Sequence, residues 1–309
     1  MRYQSHTTTK APPARLPAVY CTIFTRRCQV IAGKFAGDYI WRMVIDQQIP
    51  SLFPVGPTPL AERAGFRFGS KGTHTSRTIM LSELAATFAA SAPKSTRAYY
   101  ASAIIEANCL GKATGATRRL TYQRLSELYA LDPSVPLFQV LRRLWDIDEA
   151  GRPLLAVLCA LARDPLLSAT VSAVIPLPAG AEFARGPMKE ALVGAVGNRL
   201  NDAILDKVAR NAASSWTQSG HLEGRTFKFR RSVHPTTPSL AYALYLGHLA
   251  GFKGQELLSC TWVMVLDSTL ASARTLALDA KRIGLIDLRT AGDILEIDLD
   301  RLDPSYRSV

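Results

Sequence analysis

From Met80 onward, apolar residues recur every three or four positions through segment after segment, which is the signature of amphipathic helices. The spacing predicts a helix over Met80 to Ala90 and another over Ser95 to Asn108, with Ser95 as cap. Gly111 to Gly115 interrupts the pattern, and Thr117 to Ala130 resumes it with Leu125, Leu128 and Tyr129 on one face. Asp132-Pro133 ends that helix. From about Val135, Leu137, Leu141, Leu144 and Trp145 fall at i, i+4, i+7 and i+8, a core-facing stripe. Two more helices are expected around Pro153 to Ala162 and Pro165 to Val174, before Pro176 and Pro178-Ala-Gly mark a boundary.

After Gly180 the pattern changes. Helices over Gly186 to Val196 and Asn198 to Trp216 lead into a hairpin that begins at His221-Leu222, turns at Glu223-Gly224 and returns over Thr226 to Val233. Two helices followed by a two-stranded hairpin is the winged-helix order. The remainder repeats it. Leu240 to Leu249, Gln255 to Leu266 and a helix capped by Asp267 or Ser268 and running to Ile283 precede a hairpin of Leu285 to Leu288 with Ile294 to Leu299. Leu295, Ile297 and Leu299 alternate there with Glu296, Asp298 and Asp300, as in a half-buried strand. The expected fold class is mainly α, a helical bundle followed by winged-helix-like modules with short β-hairpins. Four regions result: 1–66, a basic extension expected to be disordered or a mis-annotated start; 67–178, the bundle; 179–238, a basic winged-helix-like module; and 239–309, a second such module with an acidic C-terminal hairpin.

Charge sharpens this picture. Lys and Arg number 37 against 25 acids, a formal charge of +12, which suits a polyanionic partner. Arg2, Lys10, Arg15, Arg26, Arg27 and Lys34 stand in the first 34 positions without an acid. An organellar transit peptide has that composition, but the prolines and Trp41 leave no sustained amphipathic face. Five scattered cysteines (Cys21, Cys28, Cys109, Cys159, Cys260) form no Cys-x-x-Cys pair, so neither a disulfide framework nor a zinc site is expected, and the chain is assigned to a reducing compartment, the cytoplasm. The longest apolar stretch, Leu154 to Leu177, is broken by Arg163, Asp164 and Pro165, so no membrane span or membrane partner is expected.

Three basic clusters are candidates for nucleic-acid contact. The first is Arg225-Thr-Phe-Lys-Phe-Arg-Arg231 beside a helix carrying Lys207 and Arg210. In an extended strand Lys228 and Arg230 share one face for phosphates, while Phe227, Phe229 and Arg231 share the other, with the phenylalanines seating the wing on the core. Asn211, Ser214, Ser215 and Gln218 add short polar donors. The second cluster is Lys112, Arg118, Arg119 and Arg124 around a helix start that Thr114 or Thr117 caps, with a solvated helix face as the competing reading. The third, Arg67 to Arg77, reads as a flexible basic arm or a plain linker, and Arg142 and Arg143 as an exposed helix face. The acidic last hairpin, with Asp287, Asp293, Glu296, Asp298, Asp300 and Asp303, repels phosphates and is assigned to structure or protein contact.

No catalytic signature is present. Gly-x-Ser-x-Gly, His-Glu-x-x-His, a P-loop and a dinucleotide fingerprint are all absent. His6 and His74 fall in segments read as mobile, His248 in an apolar helix, and Asp146 and Asp148 at a helix end where capping explains them. The expectation is a protein without enzymatic activity, cofactor or metal.

The stretch Asn108-Cys-Leu-Gly-Lys-Ala-Thr-Gly-Ala-Thr-Arg-Arg through Arg124-Leu-Ser-Glu-Leu resembles the BrxA family of BREX phage-defence systems, in which an Asn-x-Leu-x-Lys-like segment precedes a helix bearing an Arg-Leu pair. The Lys207 to Arg231 region and the last helix with Gly284-Leu285 are similar in order, and the resemblance spans about Met80 to Leu302. It implies a helical protein with a NusB-like part, DNA binding, and a place beside a methyltransferase and ATPases. The extra first 66 residues and the proline-rich joint near Pro178 depart from that pattern. Duplex DNA is thus the expected partner. A protein-interaction scaffold and an RNA binder are the alternatives, the first distinguished by salt-insensitive or absent DNA binding and the second by preference for RNA.

Overall fold

The computed structural model describes residues 50–291 and 294–304. The basic extension up to residue 49, with His6, Cys21, Cys28 and Trp41, and the acidic residue Asp293 lie outside the described residues.

The chain is mainly helical, with two small antiparallel sheets. Helix α1 (Pro59–Ala64) is capped by the Thr58 hydroxyl and closed by Gly65 in the left-handed region. It sits within a stretch expected to be disordered, yet Leu52, Ala61, Ala64 and Phe66 are buried. The anchor is Trp262, far along the chain. Phe53 and Phe66 meet its ring edge-on at 5.7 and 5.9 Å, and its Nε1 donates to the Leu52 carbonyl at 2.9 Å. A contact of 210 residues' separation leaves no periodic trace in either segment.

Helices α2 (Leu81–Ala89), α3 (Arg97–Ile105), α4 (Gly115–Tyr129), α5 (Pro136–Ile147) and α6 (Arg152–Arg163) follow the predicted pattern closely. Thr96, not Ser95, caps α3, while Thr114, one of the two expected caps, closes the start of α4. The Leu137, Leu141, Leu144 and Trp145 stripe of α5 is buried as its spacing requires. Arg142 is buried with it, contrary to the expected exposed face. It pairs with Asp146, donates to the carbonyls of Phe88 and Ser91, and lies 4.7 Å from the Phe88 ring centre. Those carbonyls lie at and just beyond the C-terminal end of α2, where intrahelical donors run out. Asp148 accepts from the Gly151 amide and the Thr236 hydroxyl, so it ties the start of α6 to the start of a much later helix.

The predicted helix from Pro165 to Val174 is two short turns, α7 (Pro165–Ser168) and α8 (Val171–Val174), and the chain bends by 106° between α6 and this pair. No single helix among the described residues is long and apolar enough to cross a membrane. Helices α9 (Arg185–Val196) and α10 (Asp202–Gln218) follow, the second capped by Asn201. The first hairpin is shorter than expected. Strand β1 (Leu222–Glu223) pairs with β2 (Phe229–Arg230), with Leu222 opposite Arg230.

Helix α11 (Thr237–Leu249) is buried nearly all round, as a central helix must be. It packs on α5 and α6 as well as on α12 (Thr261–Met264) and α13 (Leu270–Arg282). The expected bundle (67–178) and the last expected module (239–309) therefore share one core, and the Tyr242 hydroxyl donates across it to the Leu137 carbonyl at 3.1 Å. The segment Gln255 to Leu266, read as one helix, is instead a 3-10 turn (Gly254–Ser259) followed by α12. Strands β3 (Asp287–Ala291) and β4 (Ile294–Asp298) close the fold, with Leu288 opposite Ile297 and Arg289 opposite Glu296. The acids of this last hairpin are not all outward: Asp303 is buried and accepts from the Tyr245 hydroxyl at 2.7 Å, and Asp287 pairs with Arg301 at 2.6 Å.

Candidate nucleic-acid interface

The β1–β2 loop projects from a firm base. Gly224 has φ +104°, and a side chain there would collide with the Phe227 carbonyl oxygen, so the tight turn depends on glycine. Lys228 Nζ bridges the loop, donating to Thr217 Oγ1 at 2.9 Å and to the Gly224 carbonyl at 3.0 Å. On its other side, β2 is flanked by residues 180–183. Gly180 N donates to the Arg230 carbonyl at 2.7 Å, Arg230 N to the Ala181 carbonyl at 2.9 Å, and Phe183 N to the Lys228 carbonyl at 2.7 Å.

This arrangement reverses the faces expected from strand alternation. Arg230 points inward, 2% exposed, where it pairs with Asp267 and donates to the carbonyls of Val174 (3.1 Å), His221 and Arg231. Phe227 and Phe229, expected in the core, are 67% and 41% exposed. The reason is the partner: Asp267, just before α13, offers a carboxylate inside, and Leu222 and Phe183 already fill the apolar space. Arg230 therefore cannot reach a phosphate. Arg231 stays outside, 3.4 Å from Glu223.

The remaining cations of this region converge. A cleft of about 520 Å³ opens between α9, α10 and the loop, and Arg185, Arg210, Arg225 and Lys228 line it against one carboxylate, Glu182. Phe227 stands on its loop-side wall, and Ser214 on the α10 side. Burial pushes the Lys228 ammonium below its usual range. The positive field is visible on neighbouring Asp206: a hydrogen bond and charge from Lys189, then the charges of Arg210 and Arg185, hold its carboxyl below the ordinary value. Lys207 is exposed on α10 but does not line the cleft. Arg185 escaped sequence reasoning, although a cation opening the helix that precedes a basic hairpin was a signal to weigh.

The other expected donors of α10 are occupied. Asn211 donates to the His74 carbonyl at 2.8 Å, Gln218 accepts from Leu81 N and donates to Thr78, and Ser215 is buried. They hold down the segment read as a mobile arm. Thr73 and His74 are fully buried in a 3-10 turn (Thr73–Thr75), and Arg67 donates to the Glu127 carbonyl. His74 Nδ1 lies 2.7 Å from Asp164 Oδ2, and its Nε2 lies 2.8 Å from Ser215 Oγ. This is the connectivity of a serine hydrolase. All three side chains, however, are at most 1% exposed, and none of them lines the cleft beneath the β1–β2 loop. Ser215 Oγ also accepts from Ile79 N at 3.0 Å, and Asp164 caps α7. Burial works to raise the Asp164 carboxyl, but the His74 ring and the amides around it bring it below the ordinary value. The cluster joins three distant segments and is closed to solvent.

The second basic cluster is partly used within the protein and lies outside the cleft. Lys112 pairs with Glu83 at 3.1 Å and Arg124 with Glu127 at 2.8 Å, while Arg118 donates to the carbonyls of Lys112 and Ile105. Arg119 is exposed. His221, beside β1, is buried: Nε2 donates to the Val265 carbonyl at 2.6 Å, and burial pushes the ring's pKa down to about 4. Cys159 and Cys260 are buried thiols pushed up to about 12 and about 11, also by burial. No group of three or more His, Cys, Asp or Glu among the described residues is placed to hold a metal ion.

Against known proteins, no family model, curated protein or solved structure matches the chain.

Proposed function

We propose that this is a non-catalytic DNA-binding accessory protein of the bacterial cytoplasm, acting in a phage-defence system of the BREX type. Helix α10 and the β1–β2 hairpin work as a winged-helix-like unit that meets the phosphate backbone. The observation that carries this reading is the convergence of Arg185, Arg210, Arg225 and Lys228 on one cleft with a single opposing acid. Gathering four cations costs mutual repulsion, which a phosphate backbone relieves while releasing its own counterions. Lys207 extends the basic surface along α10, and Arg119 supplies a separate contact on α4. The BrxA-like pattern supports the defence assignment and the expectation of methyltransferase and ATPase neighbours.

The test is a salt titration of binding to a random duplex, comparing wild type with Arg210→Ala/Arg225→Ala. Steep loss of affinity with salt is expected, with a log–log slope shallower by about 2 in the double variant, since each phosphate contact contributes roughly 0.9. Both arginines are exposed, so folding is unaffected. Absence of binding at low salt refutes the reading and turns attention to a protein partner.

A further inference from the structure

We propose that the cleft beneath the β1–β2 loop takes an unpaired nucleotide at a DNA strand end or junction, its base stacked on Phe227 and its phosphates held by Arg185, Arg210 and Arg225. The inference rests on the DNA-binding reading above and deepens it. Three observations converge on it.

The first is shape. Duplex recognition sends a protein element into a groove about 12 Å wide, so the protein side is convex. Here the cations line a hollow of about 520 Å³, within the size range of small-ligand sites. A single strand or an extruded nucleotide enters such a hollow, whereas a duplex backbone meets the same cations only at its mouth.

The second is Phe227. Its ring is 67% exposed, on a loop fixed by the Gly224 turn, by the Lys228 bridge and by the bond from Phe183 N to the Lys228 carbonyl. The ring is held in water beside the arginines of the cleft. An aromatic face beside backbone-tracking cations is the combination that binds unpaired bases, because every base has a π-face.

The third is Glu182. A carboxylate among the cations disfavours a ligand that is only phosphate, but it accepts a hydrogen bond from the exocyclic amino group of a base. The cleft thus offers one partner for each part of a nucleotide.

The experiment uses the full chain and fluorescence anisotropy at fixed low salt. The probes are a blunt duplex, the same duplex with a single-stranded overhang carrying 2-aminopurine, and an RNA strand matching the overhang. Wild type is expected to bind the overhang substrate about tenfold more tightly than the blunt one and to quench the 2-aminopurine. Phe227→Ala is expected to abolish both the preference and the quenching while leaving blunt-duplex affinity unchanged. The ring is exposed, so the variant keeps the fold, and an unchanged melting temperature verifies this. Equal affinity for both duplexes, or a preference that survives Phe227→Ala, overturns the inference and leaves the DNA-binding reading standing. Tighter binding of the RNA strand overturns the assignment to DNA. No binding of either duplex overturns both proposals together.

Discussion

Arg230 is the position where inward packing and phosphate contact make opposite predictions, and Arg230→Met separates them. Methionine keeps most of the side-chain volume and removes the guanidinium. The change strips Asp267 of its ion-pair partner and takes from the Val174 carbonyl the Arg230 donor at 3.1 Å, leaving it the bond from Leu177 N at 3.2 Å. A charge-assisted hydrogen bond contributes roughly 1.5–3 kcal/mol, and removing one partner of a buried ion pair costs about 3–5 kcal/mol. Asp267 retains 18% exposure and its bond from Val233 N at 2.9 Å, which moderates the loss. The expected destabilisation is about 4 kcal/mol, in the range for breaking one side of a buried pair. For a domain of this size that lowers the melting temperature by roughly 10 °C. Urea denaturation of Arg230→Met, Asp267→Ala and the double variant supplies the cycle, in which the double loss falls well short of the sum. Under conditions where Arg230→Met is still folded, its DNA affinity and salt slope are expected to equal those of wild type. Unchanged stability combined with lost binding would refute the inward placement and return Arg230 to the phosphate surface.

His221 sets a pH limit. Its folded value, about 4, lies below the unfolded 6.5, chiefly through burial, with Arg230 lowering it further and the Val265 carbonyl and Asp267 opposing. A depressed imidazole favours the fold in its neutral form, so the stabilisation is complete above pH 6.5 and is lost as pH falls toward 4, on the order of 3 kcal/mol in all. Urea midpoints should drop across that window, and His221→Gln should flatten the drop; an equally steep profile in the variant refutes the assignment. Asp164→Ala leaves His74 buried without its partner and removes the cap of α7, so a loss of about 3–5 kcal/mol is expected in the same assay. Ser215→Ala should also destabilise, and neither change should alter the salt slope of DNA binding. An ester-hydrolysis activity abolished by Ser215→Ala would contradict the closed, structural role given to this cluster.

The hydrophobic pattern alone determined the helical class, the positions of α2 to α6, α9 and α10, and the stripe of α5, because amphipathic periodicity is a local property that a single core face imposes. It also located the basic hairpin and the alternation of β4. What it missed was decided by distant partners. Residues 50–66 are ordered because Trp262 lies above them, and the arm around His74 is buried because Asp164 and Ser215 receive it. Arg142 and Arg230 turn inward because carboxylates and helix-end carbonyls await them, against every expectation from their charge. Strand alternation fixes that neighbours face opposite sides; which side is the interior depends on what packs there. Phe227 faces out and Arg230 faces in for that reason, and the candidate site takes its aromatic wall from the same inversion.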